Sequence, residues 1–309
     1  MTYIEHVNRL LRERVADAGR LVIYGQNVSA GSCVSGLARG LRITTECTVI
    51  NTPNSENSLV GMGFGMMLKG VSSIFVMKQQ DFLLLALDQL VNTYNLLRTR
   101  PLDASFTILP VIVDSGYEGP QSCLNNFYDF CSISRIPGYT ITNRDDAKSI
   151  IDRHLISPGV RIIGVSQRLF RSEVIASEGH VVSHDAGDIH QYAEGDDVTV
   201  VGFNFAFPQA YSIWQASRDI GMRGSLFSVN GVICTNWDPV LRDLQRSQRL
   251  VIVDDSKSVN RSSDRLEVVV RSTLPAAKVE TVRREYNEGW YRPNSDQLEV
   301  DAQSLVRGL

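Results

Sequence analysis

Apolar positions follow two rhythms along the chain. Short continuous runs at 21–25 ("LVIYG"), 73–77 ("SIFVM"), 107–113 ("TILPVIV") and 160–166 ("RIIGVS" after Val160) are rich in β-branched side chains. Such runs predict strands buried on both faces. Helical spacing marks the opening "MTYIEHVNRLLRERV" and the stretch 82–99, "FLLLALDQLVNTYNLLRT", long enough for four to five turns. A second series follows, with strands at 198–203, 224–229 and 249–255, a helix from about Pro208 to Gly221 and another near 238–247. Strand–helix alternation of this kind predicts an α/β chain of two doubly wound, mostly parallel sheets. The polar, glycine-containing stretch 177–197 lacks apolar periodicity and reads as the connector. The boundary falls within 178–196, dividing the chain into 1–185 and 186–309.

Composition narrows the class. The 309 residues are 43% hydrophobic and 21% charged, with a formal net charge of −3. This is an ordinary globular balance, with no electrostatic case for nucleic acid. The cysteines Cys33, Cys47, Cys123, Cys131 and Cys234 form no CxxC pair and no ligand spacing with histidine, so the expectation is a reducing cytoplasm and no zinc site. No basic-then-apolar leader opens the chain, and no apolar run approaches the ~20 residues of a bilayer span.

One acid stands apart. In "NTPNSENSLVGMGFGMMLKG", Glu56 precedes a run that is almost wholly apolar and glycine-rich. By position alone it has two readings. Ser55 or Asn54 caps a helix while Glu56 complements the dipole in its first turn. In the other reading, Glu56 is an acid–base group facing a dry pocket.

The same block, Thr52-Pro53-Asn54-Ser55-Glu56, together with Ala86-Leu87-Asp88-Gln89-Leu90-Val91-Asn92, resembles the pyrimidine-binding domain of transketolase-like thiamine diphosphate enzymes. Above all it resembles the beta subunit of the 2-oxo acid dehydrogenase first component, the pyruvate dehydrogenase type. The second half resembles the transketolase C-terminal domain in hydrophobic order and spacing. The resemblance implies that Glu56 shares a proton with the aminopyrimidine ring of the cofactor, which carries the hard chemistry itself. It also implies that Phe82 packs on that ring, a contact that needs no polar partner. On position alone Phe82 is equally a core residue. Gln26, in "YGQNV", stands where the family usually has Glu and, with Asn54, is expected to line the cofactor site.

The pattern departs from the family in four places. The family's histidine after the fourth strand is missing from "GYEGPQSCLNNFYDF", where Gln121, Ser122, Asn125 or Asn126 are the substrate-side candidates. None is a competent general acid near neutral pH, which puts lipoyl-arm acylation in question. Lys78 stands where an apolar residue is usual, either solvated at a strand end or facing an anion such as substrate or Asp81. "VDDSKSVNRSSDR" (253–265) replaces a Glu and a glycine-rich loop, and reads either as an anion site or as a surface loop. The Gly-Asp-Gly motif that binds Mg2+ and diphosphate in the family is absent, so the resemblance implies a separate alpha-type subunit for that half. An α2β2 assembly with beta–beta contact follows as the expectation. No metal ligand is assigned in this chain: His180, His184 and His190 read as members of a flexible polar connector, and His154 as a histidine near a helix C-terminus. The function implied is cleavage of a C–C bond next to the ketone of a 2-oxo acid or ketose, with transfer of the activated aldehyde or acyl unit. The alternative is a non-catalytic paralogue that scaffolds or regulates an alpha-type partner.

Overall fold

The computed structural model describes residues 1–42, 44–119, 126–284 and 298–309. The first half is a six-stranded, fully parallel sheet: β1 (Leu21–Gly25), β2 (Cys47–Asn51), β3 (Ser72–Met77), β4 (Ser105–Ile112), β5 (Gly138–Ile141) and β6 (Gly159–Ser166), in the spatial order β2-β1-β3-β4-β6-β5. Helices α1 (Tyr3–Ala16), α2 (Glu56–Leu68), α3 (Tyr94–Leu97), α4 (Phe127–Ser134) and α5 (Arg144–His154) connect and cover it. β4 is buried at every position, as an inner strand flanked by parallel neighbours must be. A Thr2–Glu5 capping box starts α1, and Asn143 with Asp146 does the same for α5.

The second half is also a sheet of six strands: β7 (Val182–His184), β8 (Ile189–Ala193), β9 (Val198–Phe203), β10 (Gly224–Val229), β11 (Arg249–Asp254) and β12 (Lys278–Arg283). Their order is β12-β11-β9-β10-β8-β7, parallel from β12 to β10 with β8 and β7 added antiparallel. Helices α6 (Phe207–Asp219), α7 (Asp238–Ser247), α8 (Ser262–Thr273) and α9 (Ala302–Arg307) complete it. The α/β architecture of two doubly wound sheets matches the expectation.

Three local expectations need correction. The stretch 82–99 is not one α-helix: it runs as a 3-10 segment (Gln80–Ala86), a π turn (Gln89–Thr93) and the single turn of α3. Polar side chains there bond within the segment: Asn92 Nδ2 donates to Asp88 at 2.8 Å, Thr93 Oγ1 to Gln89 at 2.6 Å, and Asn95 Nδ2 to the Val91 carbonyl at 2.5 Å. The last of these competes for a helix carbonyl. The polar connector 177–197 is in part the β7–β8 hairpin, turned through Asp185, Ala186 and Gly187, all with positive φ. His190 is therefore no member of a flexible connector. It is buried in β8, its Nδ1 2.9 Å from Asn230 Oδ1.

The third correction concerns 253–265, which is not simply a surface loop. Asp254 to Ser258 are buried, and Asp255 receives the guanidinium of Arg168 at 2.5 Å and the Phe205 amide at 3.1 Å. Arg168 follows β6 and also approaches Asp114, which follows β4, at 3.8 Å. One arginine thus joins the C-terminal ends of strands from both sheets. A second junction lies at the edge strand β5, where the Thr140 amide donates to the Asn230 carbonyl and the Val232 amide to the Gly138 carbonyl, each at 2.9 Å. Asn230 Nδ2 also donates to the buried Asp146 at 2.7 Å.

Candidate functional site

In the strand order β2-β1-β3-β4, the chain leaves β1 in one direction and returns to its other side. The C-terminal ends of β1 and β3 therefore flank a switch point, where parallel α/β sheets leave a crevice. Gly25 closes β1 at φ 147°, and a Cβ on it would stand 2.1 Å from the Val76 carbonyl oxygen. Only glycine lets the two strand ends approach so closely. Gln26 and Lys78 then leave the sheet side by side.

The first turn of α2 is held against the same point. The Tyr24 ring stacks on Phe75 at 5.1 Å with an 8° tilt, and its hydroxyl donates to the Leu59 carbonyl at 2.8 Å. Burial pushes that phenol far above its usual range, so it stays a donor. The capping reading of Glu56 lacks its hydrogen bond. Ser55 occupies the N-cap position, but its hydroxyl goes to Ser58 Oγ at 3.1 Å and not to a backbone amide.

Gln26, Pro53, Asn54, Glu56, Leu59, Phe75, Val76, Met77, Lys78 and Phe82 line one shallow concavity of about 10 Å³. Five of the candidates from the sequence are in that set, Glu56, Gln26, Asn54, Phe82 and Lys78, while the described candidate Asn126 is not. Glu56 is 8% exposed, and its carboxylate has no hydrogen bond or ion pair with another described residue. The hollow is far below the ~300–1,000 Å³ of a site that encloses a whole drug-sized ligand, so its residues form one wall of a site rather than an enclosed pocket. Gln121, Ser122 and Asn125 lie outside the described residues. Asn126, next to them, accepts from Gln80 Nε2 at 2.9 Å.

Lys78 is exposed and forms no ion pair with a described residue, so the pairing with Asp81 does not occur. Asp81 is buried instead, and burial raises its carboxyl to about 7, with Lys257 of the second half as the opposing charge. Lys78 also borders a second hollow of about 70 Å³ shared with Asn27, Ser32, Ser35, Glu118 and Gln167. Gln167 Nε2 donates to Glu118 there at 2.8 Å. Sequence reasoning missed Tyr24, Leu59, Phe75 and Met77 as builders of the site. They read as ordinary core, and only the β1–β3 pairing reveals what they support. Among the described residues no group of three or more His, Cys, Asp or Glu side chains is arranged to hold a metal ion. No helix among them is long and apolar enough to cross a membrane.

No protein-family model matches the chain. Curated relatives do. The 2-oxoisovalerate dehydrogenase subunit beta of Bacillus subtilis (strain 168) is 21% identical over 285 residues, covering 89% of this chain and 85% of that protein. The pyruvate dehydrogenase E1 component subunit beta of Staphylococcus aureus is 19% identical over 267 residues, covering 83% and 80%. Among solved structures, a split gene transketolase described as an inactive beta4 tetramer superposes with a TM-score of 0.70 at 12% identity, over 98% of this chain and 96% of that one. The fold is therefore transketolase-like, and the chain is similar over most of its length to beta subunits of 2-oxo acid dehydrogenases.

Proposed function

We propose that this chain is the pyrimidine-binding half of a two-subunit thiamine diphosphate enzyme, acting on a 2-oxo acid or ketose. The observation that carries the reading is the Glu56 side chain, nearly buried, with no hydrogen-bond or ion-pair partner among the described residues, and lining one hollow with Gln26, Asn54 and Phe82. A carboxylate at the wall of a hollow, with no partner among the described residues, is available to a proton-bearing ligand atom. The donor set fits an aminopyrimidine: one acid for a ring nitrogen, the amides of Gln26 and Asn54 for polar edges, and the aromatic face of Phe82.

When bound, thiamine diphosphate supplies the nucleophilic carbon and the electron sink for cleavage next to a carbonyl. Glu56 holds and returns the proton at the ring nitrogen. Phe82 and Met77 exclude water from that exchange, and Gln26 and Asn54 orient the ring. Lys78 stands between the ring site and the adjoining hollow, where it attracts the carboxylate or phosphate of the substrate. Gln121, Ser122 and Asn125 are retained as further substrate-side candidates.

The diphosphate and its Mg2+ need hard oxygen ligands, which we assign to an alpha-type subunit in an α2β2 assembly with beta–beta contact. Supporting this, the solved split-gene neighbour is a beta-only tetramer and is described as inactive. The test is reconstitution with the matching alpha-type subunit, thiamine diphosphate and magnesium. Carbon dioxide release or ketol exchange is expected, and Glu56→Gln is expected to lower it by about 10²–10⁴-fold with assembly intact. A Gln variant as active as the parent would falsify the assignment, and a chain that assembles without supporting turnover would be a scaffold.

A further inference from the structure

The Glu56 concavity sits at the C-terminal ends of the first sheet's strands. At the opposite end, before β4 and at the start of β6, lies an open cleft of about 410 Å³. Since the strands are parallel and β6 has eight residues, the two sites are separated by roughly 25 Å of sheet. Three guanidinium groups line this cleft: Arg98, Arg100 and Arg161.

Arg161 is 5% exposed, and no carboxylate of a described residue meets it. Its guanidinium donates to the carbonyls of Ser157 and of Pro158, the latter at 2.7 Å, and to Thr107 Oγ1 at 3.4 Å. These three bonds engage only part of its five donors and leave its charge uncompensated. Burial lowers this guanidinium to about 10, with the two tyrosine hydroxyls Tyr139 and Tyr94 as the opposing influence. A buried ion without a counter-ion costs several kcal/mol. Arg98 and Arg100 are exposed, and neither pairs with a described acid. They add two more positive charges to the wall of the same cleft, which an anion would neutralise. The tyrosines Tyr94 and Tyr139 line the same cleft, and Tyr139 is stacked on His154 at 4.1 Å. Arg153 adds positive field at Tyr139, opposed by Asp188.

We propose that this cleft is a binding site for a phosphate-bearing metabolite, its oxyanion held by Arg98, Arg100 and Arg161 and its remainder lodged between the tyrosines. Forked guanidinium donors match phosphate geometry, and a partly dry wall strengthens them. The site lies away from the Glu56 chemistry and does not rest on it.

Titration calorimetry of inorganic pyrophosphate into the 309-residue chain at low salt tests this. Saturable one-site binding is expected, weakened about tenfold or more in the Arg98→Ala/Arg100→Ala double variant. Both positions are exposed and outside the strands, so folding is not at stake. Lys78→Met, which alters the other site, is expected to change the affinity by less than about twofold. An unchanged affinity in the double variant, a loss produced by Lys78→Met instead, or no saturable heat at millimolar pyrophosphate would overturn the proposal.

Discussion

Replacing Arg168 tests how the two halves of the chain are held in register. Its side chain is 3% exposed and reaches Asp255 at 2.5 Å and Asp114 at 3.8 Å, both carboxylates fully buried. Ser166 Oγ and the Arg168 amide also donate to Asp114, at 2.6 and 2.9 Å, and the Phe205 amide donates to Asp255. Arg168→Met keeps the volume and those neutral bonds but removes from both acids the cation that reaches them, leaving Arg284 as the nearby positive group. Breaking a buried ion pair from one side costs about 3–5 kcal/mol. With an m-value of about 2–3 kcal/mol/M in urea, the unfolding midpoint at pH 7 should fall by about 1–2 M.

The sign of the pH dependence follows from Asp114. Its carboxyl is already raised by burial, opposed chiefly by Arg168, so losing that cation raises it further. A folded state that holds its proton more tightly than the unfolded one loses stability as pH rises through that window. The variant's deficit should therefore be largest at neutral pH and shrink as pH falls toward the ordinary aspartate range. Arg168→Lys, which restores charge but not the two-sided reach, should recover part of it. Urea midpoints of the parent and both variants at pH 5 and pH 7 decide the matter. A deficit below about 1 kcal/mol at pH 7, or one equal at both pH values, would refute the account.

Within α2, two glycines should respond with opposite sign. Gly63→Ala drives a Cβ to 2.2 Å from the Phe106 ring and should cost about 1–3 kcal/mol, while Gly65→Ala meets nothing within 4 Å and should stabilise by up to about 1 kcal/mol, both read from thermal melts. Tyr24→Phe deletes the bond to the Leu59 carbonyl, and should lower stability by about 1 kcal/mol while raising the thiamine diphosphate concentration needed for half-maximal activity; unchanged cofactor demand would mean that the start of α2 is positioned by packing alone. Phe82→Ala should raise the same demand by about tenfold, with Phe82→Tyr close to the parent, as measured by titrating cofactor into the reconstituted enzyme.

Much of this molecule is legible in short windows of sequence. The buried strands β1, β3, β4, β6, β9, β10 and β11 declare themselves because an inner parallel strand must be apolar at nearly every position. The Glu56 block stands out by its resemblance to a family motif, since an acid in the first turn of a helix is by itself ordinary. Strands β2, β5, β7, β8 and β12 do not declare themselves: they are short or at and near sheet edges, where polar side chains are allowed, as "KVETVR" in β12 shows. Sequence also lists Gln26, Glu56, Lys78 and Phe82 without saying that they face one another. Their convergence comes from the β1–β3 pairing and from the Gly25–Val76 approach. The same holds for Arg168 and Asp255, which lie 87 positions apart. Periodicity and turn chemistry act over a few residues and are written locally. Which buried charge meets which acid depends on how two finished sheets dock, so only the tertiary structure decides it.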